Sequence, residues 1–281
     1  MRIAAASRLW LVSAMRNRGL SGGRFNSAIL LLCMIASPVS AATIVNQWAA
    51  IQSAFFADKT IQHQPLNIQI EAPSQAEDAS IVPVTIEVHL PASYITRVHL
   101  FTDANPIVHT ATFVPQQPMH QFKLSTRIRL ESNSHFRVIA EDDAGQLLMN
   151  DVVIKTPGGG CGGGISSDEA RLRASAGEMK VQSHRSGLSG LPELSFHIRH
   201  PMRTGFERTA QGYYAKAWYM QHLAFQLDTV PWLKATLGPG ISANPYLRFS
   251  LEATEVHQLS IEAKDNEGQV FHQQFSLGMP D

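Results

Sequence analysis

Cys161 is the residue whose type and setting point most directly to chemistry. It lies in "IKTPGGGCGGGISS", residues 154–167, with Gly158, Gly159 and Gly160 before it and Gly162, Gly163 and Gly164 after it. A lone cysteine in a folded domain is ordinarily a small buried hydrophobe. Six glycines, however, supply no side-chain surface to bury it, and glycine runs do not settle into strands. The expectation is therefore an exposed thiol on a flexible segment. A thiolate nucleophile needs a helix N-terminus, a cation or a histidine base beside it. The nearest charged residues along the chain are Lys155 and Asp168, neither adjacent. An unassisted thiol with a pKa of about 8.5 is only a few per cent ionised at neutral pH. A mobile loop also holds no attack geometry. These residues suit a handle presented to another protein better than a catalytic centre.

The elements that must position this handle read as strands. "LNIQIEA", "IVPVTIEVHL", "ITRVHLFT", "IVHTATFV", "HQFKLSTRIRL", "HFRVIAED" and "QLLMNDVVIK" are short, alternating and rich in β-branched residues. With turn residues between them, they predict an antiparallel β-sandwich over residues 42–157. The stretch "EDDAGQ" predicts a tight turn. Trp48, Ile51 and Phe55 recur at helical spacing, so a short N-terminal helix precedes the strands. Residues 158–192 are small, polar and rich in Gly and Ser, which reads as arm and linker, with a helical turn or two after Ser167/Asp168. Residues 193–281 return to strand patterns in "LSFHIRH", "AKAWYMQHLAFQLD", "PWLKATLG", "PYLRFSLEA", "VHQLSIEAKDN" and "QVFHQQFSL". The fold class is all-β: two immunoglobulin-like sandwiches, each of roughly a hundred residues and large enough for a core of its own.

Residues 1–41 stand apart. They carry Arg2, Arg8, Arg16, Arg18 and Arg24, then the apolar run "AILLLCMIA", then small residues ending at Ala41. This is the pattern of a secretory signal peptide cut near Ala41–Ala42, with an apolar run too short for a membrane span. It predicts a periplasmic protein with no membrane attachment after cleavage. Removing five arginines leaves 18 basic against 23 acidic residues, a net charge near −5, which excludes a nucleic-acid binder. It also removes Cys33, so Cys161 has no partner for an intrachain disulfide in an oxidising compartment.

The order of segments resembles the sulfur-carrier pair of the bacterial thiosulfate-oxidising Sox system. The first module resembles SoxY in "WAAIQSAFFADKTI", "IQIEAPSQAEDASIVPVTIEV", "TDANPIVHTATF", "STRIRLESNSHFRVIAEDDAGQ" and "VVIKTPGGGCGG". The second resembles SoxZ in "FHIRHPMRTGFE", "GISANPYLRFSLEA" and "IEAKDNEGQ". A fused form is known beside quinoprotein (PQQ) dehydrogenases, and this chain looks like that group. The resemblance implies two sandwiches that pack together intramolecularly and a non-enzymatic carrier without a cofactor of its own. It implies that Cys161 holds a covalent sulfur intermediate, on an arm whose joints are the flanking glycines. Implied partners are periplasmic redox enzymes, either a c-type cytochrome or quinoprotein dehydrogenase system, or the enzymes of sulfur oxidation.

One departure bears on partners. The SoxY arm ends its chain, whereas here the chain continues. Pro157 to Cys161 spans about 13–14 Å when extended, so reach is kept. A partner must instead accept a doubled strand, which a closed tunnel excludes and an open cleft admits. That points toward a dehydrogenase-linked pathway. Three other functions compete: an adaptor or chaperone for a quinoprotein dehydrogenase or its cytochrome, a thiol enzyme such as a peroxidase, and metal delivery. His197 and His200 form H-x-x-H, but residues three apart on a strand face opposite ways. His89, His99 and His109 recur at hairpin spacing. Arg199, Arg203 and Arg208 read as a solvated edge or an anion patch facing the loaded arm. Trp218, Tyr219, Phe225 and Trp232 read as core or inter-module contact.

Overall fold

Alternation along the strands decides the architecture. In Val82–His89 every second side chain, Val82, Val84, Ile86 and Val88, is buried while the others face outward. That is the signature of a strand with one face on a core. The computed structural model describes residues 43–57, 59–165, 168–185, 192–251 and 256–277. The signal-peptide reading and its cleavage site lie outside the described residues.

A short helix, α1 (Trp48–Phe56), precedes the strands of the first module. These are β1 (Ile61–His63), β2 (Ile68–Glu71), β3 (Val82–His89), β4 (Ile95–Thr102), β5 (His109–Pro115), β6 (Gln121–Ile128), β7 (Ser134–Asp142) and β8 (Leu147–Ile154). After the glycine segment come α2 (Glu169–Ser175) and β9 (Met179–Arg185). The second module continues with β10 (Pro192–Ile198), β11 (Met220–Leu227), β12 (Val230–Leu237), β13 (Tyr246–Ser250), β14 (Gln258–Asp265) and β15 (Val270–Ser276). All thirteen strand segments read from the sequence contain a strand. Two strands escaped that reading. β1 is three residues long, and β9 lies in the stretch taken as linker. β9 pairs along its length with β10, so residues 179–185 belong to the second sandwich. Its apolar content is only Met179 and Val181, too little to announce a strand.

The two modules are less separate than two sandwiches each closed on its own core. β5 pairs antiparallel with β12, and β6 with β13. A nine-stranded sheet runs β1-β8-β7-β4-β5-β12-β11-β14-β15, facing a six-stranded sheet β2-β3-β6-β13-β10-β9. The core between the two sheets is correspondingly one cluster, with residues from Ile68 to Leu277. Aromatic rings stitch the seam. Phe249 lies 6.2 Å from Phe113 and 6.1 Å from Phe122, and on its other side 5.8 Å from Phe225 and 5.4 Å from Trp232. Such pairs in offset or edge geometry add to the apolar burial. This explains Phe225 and Trp232: they are core residues that reach the inter-module contact.

α1 covers the outer face of the larger sheet. Ile51 and Phe56 pack there on Phe101, Ile139, Leu147 and Met149. Phe56, not Phe55, is the buried residue of the pair, since Phe55 is half exposed and leans its ring edge on Phe101. The predicted turn at 142–146 is present: Asp142 Oδ1 accepts from the Ala144 and Gln146 amides, and Gly145 takes the positive φ. The helix after Asp168 is also present, with the Asp168 carboxylate capping the Arg171 amide. No helix among the described residues is long and apolar enough to cross a membrane.

Candidate functional site

β8 delivers the chain to the seam between the modules, and there the glycines place the thiol. The Gly159 amide donates to the Glu131 carbonyl at 2.9 Å, and the Gly160 amide to the Leu130 carbonyl at 3.0 Å. Leu130 in turn donates to the Ala79 carbonyl. The arm therefore lies directly on backbone from the first module. Gly160 sits so close that a Cβ there would stand 2.1 Å from the Ala79 carbonyl oxygen. Gly158 and Gly159 both have positive φ, which glycine adopts without strain. The Cys161 amide then donates to Glu131 Oε2 at 3.1 Å.

The second module holds the other side. The Thr204 hydroxyl, 2.6 Å from the Cys161 carbonyl and 2.9 Å from Glu207 Oε2, has one proton for two acceptors. Glu207 also accepts from the Thr204 and Gly205 amides. Arg129 reaches Glu207 at 3.3 Å and donates to the Met202 and Pro201 carbonyls. Beyond the thiol, the Arg208 amide donates to the Gly163 carbonyl at 2.7 Å, and the Ile165 amide to the Arg208 carbonyl at 3.1 Å.

The expectation of an exposed thiol is overturned. Cys161 is 3% exposed. The glycines do not bury it; residues of both modules do, namely Asn105, Pro106, Ile107, Thr204, Phe206 and Pro239 around a cavity of about 10 Å³, room for roughly one water. The charged neighbours missing along the chain are supplied in space. Burial pushes the thiol pKa up to about 12, the carboxylates of Glu131 and Glu207 add to the rise, and Arg129 opposes it. In this position the sulfur is a neutral thiol and a poor nucleophile. On the other side of the arm lies a second cavity of about 310 Å³, lined by Gly160, Gly162, Gly164, Arg129, Arg203 and Glu207 among others. The Arg129 Nε is buried without a hydrogen-bond partner among the described residues.

The family comparisons meet this geometry at both modules. The family "Sulfur oxidation protein SoxY" matches residues 52–161, ending on the cysteine, and "Sulphur oxidation protein SoxZ" matches residues 181–276. The chain joins a SoxY domain and a SoxZ domain in one polypeptide. Among solved structures, the sulfur carrier protein SoxY from Chlorobium limicola f thiosulfatophilum is similar at 28% identity and a TM-score of 0.32. That match covers 38% of this chain and 88% of that one. A superoxide reductase (neelaredoxin) from Ignicoccus hospitalis is similar at 16% identity and a TM-score of 0.26, over 32% of this chain and 80% of that one. No curated protein matches.

The SoxZ match begins inside the segment read as linker, in keeping with β9 pairing into the second sandwich. The other residues weighed from the sequence fall into separate places. In the SoxZ module His200 is buried, its Nδ1 accepting from the Met202 amide, and burial pushes its pKa down to about 4. His197 is half-buried on β10 and does not join it. His99 and His109 converge on the Thr112 hydroxyl, at 2.9 and 2.7 Å, while His89 lies apart on β3. No group of three or more metal-ligating side chains is found among the described residues. The three arginines form no common patch: Arg199 pairs with Glu178, Arg203 with Glu169, and Arg208 lies over the Tyr214 ring at 3.7 Å.

Arg129, Glu131, Thr204 and Glu207 were not singled out from the sequence. One signal was present. Thr204 and Glu207 stand in the T-x-x-E spacing of a capping box, in which side chain and backbone satisfy each other reciprocally. Here the box closes a loop instead of a helix, and its threonine turns outward to the arm.

Proposed function

We propose that this SoxY–SoxZ chain is a periplasmic, non-enzymatic carrier that holds a covalent sulfur intermediate on Cys161 and presents it to partner redox enzymes. What supports the reading is the way the cysteine is held. Its backbone is bonded on one side by the SoxY module and on the other by the SoxZ module, and its thiol is kept neutral and buried. A cysteine used for packing alone needs no glycine arm. An active-site nucleophile would have a depressed pKa, not a raised one. The docked position stores the thiol in an inert form, and the glycines allow the arm to leave it. A sulfonate on the sulfur does not fit a cavity for one water, so a loaded arm does not lie in the position seen here. Intact-mass analysis of the protein from its native periplasm is expected to show sulfur-containing adducts on Cys161. Unmodified thiol alone under inducing conditions, together with a working pathway in the Cys161→Ser strain, would sink the proposal.

The burial of Cys161 favours a second reading, an adaptor or chaperone for a quinoprotein dehydrogenase or its cytochrome in which the cysteine is structural. Co-purification of such an enzyme that survives Cys161→Ser, with no adduct on the native protein, selects it over the carrier.

A further inference from the structure

The hydrogen bonds that close over Cys161 from the SoxZ side come from one finger of chain, residues 203–218. Its base is fixed by reciprocal bonds between the Arg203 and Trp218 backbones. Its middle is fixed by Glu207 on Arg129 and by the Ala215 amide on the Glu207 carbonyl. Its tip is a tight turn, with the Thr209 amide on the Tyr213 carbonyl and the Gly212 amide on Thr209. Thr204 and both backbone bonds of Arg208 to the arm belong to this finger.

The same finger carries large exposed aromatics. Tyr213 is 75% exposed, Tyr214 60% and Phe206 41%, and Ile107 of the SoxY module stands beside Phe206 at the thiol cavity at 39%. Arg208, stacked on Tyr214, adds a cation. Exposed apolar surface grouped in this way marks interaction sites, and tyrosine, phenylalanine and arginine are enriched where such sites bind tightly. The patch is continuous with the rim of the thiol cavity, so whatever reaches the sulfur from that side must cover it.

We propose that the finger is both the clamp on the arm and the docking surface for the enzyme that acts on Cys161. That enzyme has an apolar active-site mouth with a carboxylate to meet Arg208, and its seating on the finger loosens the clamp. This rests on the carrier reading for its choice of partner. A ligand shifts a conformational equilibrium only by its differential affinity for the two states. A partner whose reacting centre takes the thiol gains its full contact with the released arm alone, so it binds that state better. Docking and release are then one linked equilibrium, and weakening the clamp raises the partner's apparent affinity by the same factor that it raises the released population.

The test places a photo-crosslinking residue at the finger tip, Tyr213→p-benzoylphenylalanine, in the full chain within its source bacterium. Gln274, exposed on edge strand β15, serves as the control position. The expected result is a covalent adduct from position 213 to a protein with a redox or hydrolytic centre, and none above background from 274. Adding Gly160→Ala, which forbids the docked arm, is expected to raise the apparent affinity measured by crosslinking yield at least tenfold. Thr204→Val, a milder change that keeps the fold, is expected to raise it about fivefold. Absence of an adduct from position 213 overturns the docking surface. An adduct whose yield neither variant changes overturns the linkage. If the linkage is seen but the native protein carries no adduct on Cys161, the finger stands and the carrier reading falls.

Discussion

The two halves of the glycine segment look alike in sequence and differ in what the protein asks of them. Before the cysteine, Gly160 is pressed on backbone: a Cβ would meet the Ala79 carbonyl carbon at 2.5 Å and the Leu130 oxygen at 2.7 Å. Gly158 is less tight, at 3.0 Å from the Glu131 oxygen, and Gly159 meets nothing within 4 Å, though both take the positive φ that favours glycine. After the cysteine, added Cβ atoms at Gly162, Gly163 and Gly164 would meet nothing within 4 Å. In the first run Gly160 is the fitted point that lets the arm lie against the first module. The second run meets no neighbour, and of its three glycines only Gly163 needs glycine for its backbone, which takes a positive φ. A flexible joint and a tight seat are both written as glycine, and only packing tells them apart.

The sharpest way to break this distinction is Gly160→Ala. The clash is with backbone atoms held by sheet hydrogen bonds, so no rotamer relieves it. The docked arm is lost while the sandwiches, which do not depend on it, still fold. Alkylation of Cys161 by iodoacetamide is expected to accelerate at least a hundredfold, toward the rate of an unprotected thiol. A variant as slow as the parent would show that the seat is not fitted. Glu207→Ala should come next. It leaves Arg129 buried and unpaired, which costs about 3–5 kcal/mol when a buried pair loses one partner. Thermal unfolding should move down, and Cys161 should alkylate faster as the Thr204 loop loosens. A change in alkylation without a change in Tm would detach Glu207 from the fold.

Much of this was legible in the sequence, and the reasons for the remainder are physical. Strands with alternating burial, such as Val82–His89, announced themselves because one face is core and the other is not. β9 did not, because an edge strand with two apolar residues resembles a linker. The continuous sheets were hidden because pairing between β5 and β12 is a long-range fact that no local pattern encodes. The cysteine was found at once. Its surroundings were not, because the six glycines beside it along the chain are not what surrounds it in space. Burial comes from residues tens of positions away: Ile107, Thr204 and Pro239.

The pH dependence of Cys161 reactivity separates a seated thiol from a free one. An ordinary thiol titrates at about 8.5–9, and burial in the seat raises that of Cys161 to about 12. A raised pKa means the docked state favours the protonated form. That contribution to docking is complete below pH 9 and is lost as pH rises from 9 through 12. In the parent protein, alkylation should therefore keep rising past pH 9, levelling only as the arm undocks. In Gly160→Ala it should level near 9. Equal profiles would mean that the seat does not perturb the thiol.

The smallest expected effect tests the other half of the segment. Gly162 is not among the glycines with positive φ, and a methyl group there meets no atom within 4 Å. Gly162→Ala should leave the docked arm and the Cys161 alkylation rate within a factor of about two of the parent, since a fitted residue stabilises only the state it fits. If the carrier proposal holds, its effect should appear instead in delivery: alanine narrows the backbone choices of a released arm, so loading by a partner slows while the docked thiol is unchanged. If Gly162→Ala accelerates alkylation as Gly160→Ala does, both glycine runs are parts of the seat. The asymmetry between them would then belong to the sulfur's route out and not to how it is held.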